Sequence, residues 1–135
     1  MDEVDKTGTG ACVSGPRSFE KLLQIMDTLL GENGCPWDRV QTHASLTQNM
    51  LEEAGEAVEA IKQGDMDNLK EELGDVLLQV VFHAKIAEKN GSFTMDEVLD
   101  TLCAKLVDRH THVFGRDKAA TPEEALGIWR ANKKK

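Results

Sequence analysis

Cysteine is scarce in this sequence and poorly spaced for structural use. Cys12, Cys35 and Cys103 form no Cys-x-x-Cys pair, and three cannot all pair within one chain, which excludes a zinc ribbon and a disulfide framework. That usage fits a reducing cytoplasm. Positive charge is also in short supply, with 16 Lys and Arg against 24 Asp and Glu and a formal charge of -8. Duplex nucleic-acid binding depends on clustered cations that neutralise phosphates, so that class is excluded, and any anion handled here calls for metal ions or local basic spots. Long apolar runs are missing as well. The longest, Val76–Ala84, is cut by Gln79 and His83, and the first residues carry no apolar core of signal-peptide length, so nothing reads as spanning or targeting a membrane. No window alternates as a strand would, and no hairpin dipeptide joins two apolar runs.

What remains is helical. A chain of 135 residues suffices for one domain with a real core. Residues 1–17, with three Gly, one Pro and no apolar period, read as a flexible N-terminal tail, leaving 18–135 as a single domain. Ser18 caps a helix that runs to Gly31, and the loop ENGCPWDRVQTH follows. Ser45 or Thr47 opens a second helix, closed by Gly64. Asp65 or Asp67 opens a long third one, ending at Asn90-Gly91. Thr94-x-x-Glu97 is a capping box for a fourth helix to about His110, and Thr121-Pro122-Glu123-Glu124 joins a box to Pro at the first helical position of a fifth. The expected class is all-α, a four-helix bundle with an additional C-terminal helix.

Two acid triplets, Glu52/Glu53/Glu56 and Glu71/Glu72/Asp75, stand out on these helices. At about 100° per residue, Leu46, Met50, Ala54, Ala57, Val58 and Ile61 form the apolar arc of the second helix, with Glu53 on its edge and Glu56 a step further round. The third helix is apolar nearly all round, which asks for burial on several sides. Through it, however, runs a polar stripe of Glu72, Asp75, Gln79 and His83. If the two helices form an antiparallel hairpin, Glu53, Glu56, Glu72 and Asp75 converge, and unpaired carboxylates in such a space protonate unless a cation joins them. The bland reading is that first-turn acids merely favour the helix dipole, worth about 0.3–1 kcal/mol each. It explains either triplet alone better than the two together. Oxygen donors without Cys or an obligatory His select Mg²⁺, with Mn²⁺ as a substitute. None of His43, His83, His110 and His112 has Glu three residues before it, which disfavours a carboxylate-bridged di-iron site.

Glu52-Glu53-x-x-Glu56 followed by Glu72-x-x-Asp75 within EELGDVLLQVVFHAKIA, with CPWDRVQTHASL before and KLVDRHTHVFG after, resembles the MazG family of nucleoside triphosphate pyrophosphohydrolases, over about Phe19 to Lys133. The resemblance implies hydrolysis of a nucleoside triphosphate to monophosphate and pyrophosphate, in the clearing of unwanted or damaged nucleotides. It implies Mg²⁺ held by Glu53 and Glu56 on one helix and Glu72 and Asp75 on the next. Glu53, inward on its edge, is the general base we favour among them. The resemblance further assigns Lys105 and Arg109, one turn apart, to the triphosphate, and Trp129 with Lys133 to a C-terminal element covering the nucleotide. Some active relatives carry a lysine where Asn68 stands here, and Lys70 is about 200° away round the helix. That departure keeps open a catalytically silent metal- or nucleotide-binding module. A narrower substrate, a deoxyuridine or deoxycytidine nucleotide or phosphoribosyl-ATP, also remains open.

Trp37 in CPWD has two readings: it stacks on a base, or it plugs the end of the bundle. His110 and His112 touch phosphate or cap the fourth helix. Leu78, Val81, Phe82 and Ile86 ask for more cover than one bundle offers, which predicts a symmetric homodimer.

Overall fold

The computed structural model describes residues 18–133, so the tail expected at 1–17 lies outside the described residues. The described residues are helical without a strand and divide into two compact units, one ending at Ser92 and one beginning at Phe93. The five expected helices are present as α1 (Phe19–Leu29), α3 (Thr47–Gln63), α4 (Met66–Lys89), α5 (Met95–Arg109) and α7 (Pro122–Lys133). Two short helices were not anticipated: α2 (Pro36–Arg39) inside the expected loop, and α6 (Thr111–Phe114) after α5. Pro36 explains the first, since its fixed φ suits an opening helical position.

Local chemistry sets the boundaries. The Ser18 hydroxyl accepts from the Lys21 N–H at 3.2 Å. The Asp65 carboxylate accepts from the Asn68 N–H at 3.1 Å, so Asp65 rather than Asp67 opens α4. Thr94 and Glu97 form the reciprocal box at the start of α5. At α7 the Thr121 hydroxyl accepts from the Glu124 N–H, while the Glu124 carboxylate reaches back to the Ala120 N–H at 2.7 Å. The start of α3 departs from expectation. A 3₁₀ turn, Ala44–Leu46, leads directly into it and no side chain caps it. The Ser45 hydroxyl is engaged with Thr42 and Gln41, and the Thr47 hydroxyl donates to the Ala44 carbonyl.

In the first unit, α3 and α4 form the most extensive helix pair, and α1 packs on α4. Gly64 at φ 68° ends α3 in the left-handed conformation that a side chain disfavours, and Asp65 caps α4 immediately afterwards. Two residues thus reverse the chain and fix α3 against α4. Met26, Leu46 and Val81 are fully buried, with Phe82, Ala84, Ala87, Ala57 and Ala60 also inside. Lys85 on α4 ties down α1 through an ion pair with Asp27 at 2.7 Å.

Two packing expectations need correction. The predicted α3 arc placed Ala54, Val58 and Ile61 inside, yet all three are exposed; Leu46 and Ala57 of that arc are buried, and Ala60, outside it, is buried as well. Small side chains line the buried face, where helix backbones approach closely, while the larger ones are left outside. The argument for a dimer face fails for Val81 and Phe82, which are 0% and 4% exposed within a single chain. The second unit consists of α5, α6 and α7 packed on one another. Among the described residues no helix is long and apolar enough to cross a membrane.

Candidate active site and metal centre

The α3–α4 hairpin brings Glu53, Glu56 and Glu72 together. Each offers a carboxylate oxygen, and the three oxygens lie within 4.8 Å of one another. Asp75 stands outside that tight group, half-buried one turn further along α4, near enough for its charge to act on Glu53 and Glu72. The fourth expected ligand is therefore beside the cluster rather than in it. Glu52 and Glu71 are exposed.

Electrostatic stress in the cluster is large. Burial pushes the Glu72 carboxyl up to about 7 from an ordinary 4.5, helped by a hydrogen bond with Glu56 and by the charges of Glu56, Asp75 and Glu53. Glu53 is raised for the same reasons, burial first and then the charges of Glu56 and Asp75. Glu53 Oε1 and Glu72 Oε1 are buried without a hydrogen-bond partner. Paired anionic oxygens with unused lone pairs are the donor set of a hard divalent cation, so the residues present fit Mg²⁺ or Mn²⁺.

Further along the same groove side of α4, His83 meets His43 from the segment before α3. Their Nδ1 atoms are 2.7 Å apart and their rings parallel, with planes 5° apart. One Nδ1–H donates to the other ring, so both cannot carry that proton. Burial, and then the charge of His43, lowers the His83 pKa. Sequence reasoning placed His83 on the polar stripe but gave no signal for its partner, forty residues away. The Asp27–Lys85 pair was equally invisible. Burial would lower the Lys85 pKa, but the hydrogen bond and charge of Asp27, with Glu88, outweigh it and raise it.

Trp37 is 54% exposed on α2, so it does not plug the first unit. Its carbonyl accepts from the Gln41 amide at 2.8 Å. Asn68 is half-buried and Lys70 exposed.

In the second unit, Lys105 and Arg109 help line a cavity of about 790 Å³ with Thr111 and Asn132. The Arg109 guanidinium lies 5.6 Å from the centre of the Trp129 ring, and Lys133 Nζ lies 4.9 Å from it. Trp129 therefore gathers two cations by cation–π attraction. The spacing had paired Lys105 with Arg109 and Trp129 with Lys133; packing of α5 on α7 links the two pairs. His110 caps α5, its Nδ1 2.7 Å from the Leu106 carbonyl, whereas His112 Nδ1 is buried without a partner.

Residues 41–114, more than half of the chain, match the model of the MazG nucleotide pyrophosphohydrolase domain. The chain belongs to the MazG family. MazG of Thermotoga maritima, named a nucleoside triphosphate pyrophosphohydrolase/pyrophosphatase, is 56% identical over 97 residues, which cover 72% of this chain and 38% of that protein. The nucleoside triphosphate pyrophosphohydrolase of Mycobacterium tuberculosis is 46% identical over 138 residues, covering 96% of this chain and 42% of the relative. A MazG-related protein from Thermotoga maritima has been solved by crystallography. It superposes with a TM-score of 0.71 at 31% identity, covering 86% of this chain and 99% of that one. This MazG chain spans less than half the length of the curated relatives.

Proposed function

We propose that this chain hydrolyses nucleoside triphosphates to nucleoside monophosphates and pyrophosphate with the help of Mg²⁺, which Mn²⁺ can replace. The observation that carries the reading is the group of three carboxylates within 4.8 Å, two of them with buried oxygens lacking partners. The names of the relatives point to the same reaction. Glu53, Glu56 and Glu72 would hold the ion, with Asp75 beside them completing the charge. When bound, the ion supplies Lewis acidity to phosphate oxygens.

The protein's own groups do the rest. Attack on the α-phosphorus requires a water to lose its proton, and Glu53, on the edge of the α3 apolar arc and beside Glu56 and Glu72, takes it. Lys105 and Arg109 offer positive charge to the phosphates, and Trp129 with Lys133 offers an aromatic face and a further cation. Trp37, exposed on α2, has a ring free to stack on a base.

The deciding experiment is pyrophosphate release from a panel of ribo- and deoxyribonucleoside triphosphates with Mg²⁺, beside a Glu53→Gln variant and a metal-free control. Monophosphate and pyrophosphate, lost in both controls, are expected. No turnover while Mg²⁺ still binds would leave a silent binding module instead.

We also propose a homodimer, now through the exposed Leu51, Val58 and Ile61 of α3 with Leu73 and Leu77 of α4. Light scattering at micromolar concentration is expected to give twice the chain mass of 14.9 kDa; a single-chain mass would end the idea.

A further inference from the structure

Three buried side-chain oxygens in the first unit have no hydrogen-bond partner: Glu53 Oε1, Glu72 Oε1 and Gln79 Oε1. The first two belong to the carboxylate cluster and suit a cation. Gln79 is different. It is neutral, only 5% exposed, and the one polar side chain among the buried residues described. A buried amide without a partner is costly, and folded proteins retain one chiefly where water, an ion or a ligand completes it.

Its position narrows the choice. The register of α4 puts Glu72, Asp75, Gln79 and His83 within an arc of about 80°. Along the axis Gln79 lies about 6 Å beyond Asp75 and His83 about 12 Å beyond it. The near end of this stripe is the carboxylate cluster. The far end is already satisfied, because His83 Nδ1 is hydrogen-bonded to His43. Between them Gln79 presents a side-chain oxygen with no partner.

An amide oxygen accepts a hydrogen or ligates a cation, and with the cation assigned to the carboxylates its remaining partner is a donor. Phosphate oxygens at neutral pH bring none. In a nucleotide whose phosphates are held at the acid cluster, the donors nearest the α-phosphate are the sugar hydroxyls, joined to it through C5′. Base amino groups lie further out. About one helical turn separates Asp75 from Gln79, a step on the scale of a sugar ring rather than of a whole nucleoside.

We propose that Gln79 binds and positions the sugar, its amide oxygen accepting a hydrogen bond from the 3′-hydroxyl of the nucleotide. This rests on the pyrophosphohydrolase reading, which places the phosphates at Glu53, Glu56 and Glu72. It accounts for a buried amide that packing alone leaves unsatisfied, and it predicts that the residue opposes stability in the free protein while serving the ligand.

The test uses the whole chain with Mg²⁺ and α,β-imido triphosphates that resist cleavage: 2′-deoxyuridine, 2′,3′-dideoxyuridine and 2′-deoxyadenosine forms. Calorimetry is expected to show the wild type binding the dideoxy analogue about tenfold more weakly than its 3′-hydroxyl counterpart, the ratio of one neutral hydrogen bond. Gln79→Met should bind both uridine analogues equally, at the wild-type dideoxy level, and unliganded it should melt no lower than wild type. Gln79→Leu repeats the comparison should the Met variant fail to fold.

Equal losses on both sugars, a lower melting temperature in both variants, or wild-type indifference to the 3′-hydroxyl would overturn the assignment. So would a loss that follows the adenine amino group. Pyrophosphate release from natural triphosphates, run alongside, separates the two readings. Turnover without sugar discrimination removes Gln79 alone. Binding with discrimination but no turnover removes the enzyme and keeps Gln79, and no binding of any analogue removes both.

Discussion

Glu72→Gln is expected to lower pyrophosphate release on the order of a thousandfold while raising the melting temperature of the metal-free protein. The two effects share one origin. Glu72 is held against Glu56, Asp75 and Glu53, and burial has pushed its carboxyl up to about 7. An amide of the same shape removes one anion from that group, which relieves repulsion and also removes a cation ligand. The sign of the pH dependence follows. Between the ordinary 4.5 and about 7, the folded protein keeps a proton that the unfolded chain has released, so stability falls as pH rises through this window. Below 4.5 the penalty from Glu72 is absent, and above about 7 it is complete. The stability advantage of Glu72→Gln should therefore grow from pH 4.5 to 7 and then level off. Mg²⁺ must displace the same proton, so its affinity for the wild type should rise across that window. Denaturant melts at several pH values, with and without Mg²⁺, read both effects. A variant with unchanged turnover, or one less stable than wild type at pH 8, would show that Glu72 is not part of a strained cation site.

Phe82→Ala is expected to cost about 3–5 kcal/mol of stability, the largest loss among single truncations in α4. Phe82 is 4% exposed beside the fully buried Val81, and its removal leaves a cavity that neighbouring helices fill poorly. Met66→Ala, at the exposed start of the same helix, should stay within about 0.5 kcal/mol. Urea midpoints of the two variants make the comparison. Similar costs at both positions would contradict the burial pattern of α4, because residue type and helix would then matter more than enclosure.

The architecture was legible where local chemistry decides it. Ser18, Asp65, Thr94 and Gly64 act within a few residues of themselves, and all four mark helix ends as their types predict. The carboxylates could be read because an acid at the wrong place on a buried helix is conspicuous. What the sequence hid depended on partners. A helical wheel gives the arc of α3 but not which part of it meets α4, so Ala57 was rightly placed inside together with Val58 and Ile61, which are exposed, while the buried Ala60 was left out. The same blindness applies to Arg109, which its spacing tied to Lys105 before its guanidinium was found over Trp129. His43 and His83 meet only because α3 doubles back on α4, a fact that no local pattern carries.

The two-residue reversal at Gly64 and Asp65 also bears on when the site forms. Glu56 and Glu72 stand about two helical turns on either side of that turn, so the carboxylates meet when a single helical hairpin closes. Contacts so local form early, before pairings between distant segments have been made. Repulsion among the acids is therefore felt by the nascent hairpin itself, and a cation present during folding would act on the order of events as well as on their outcome.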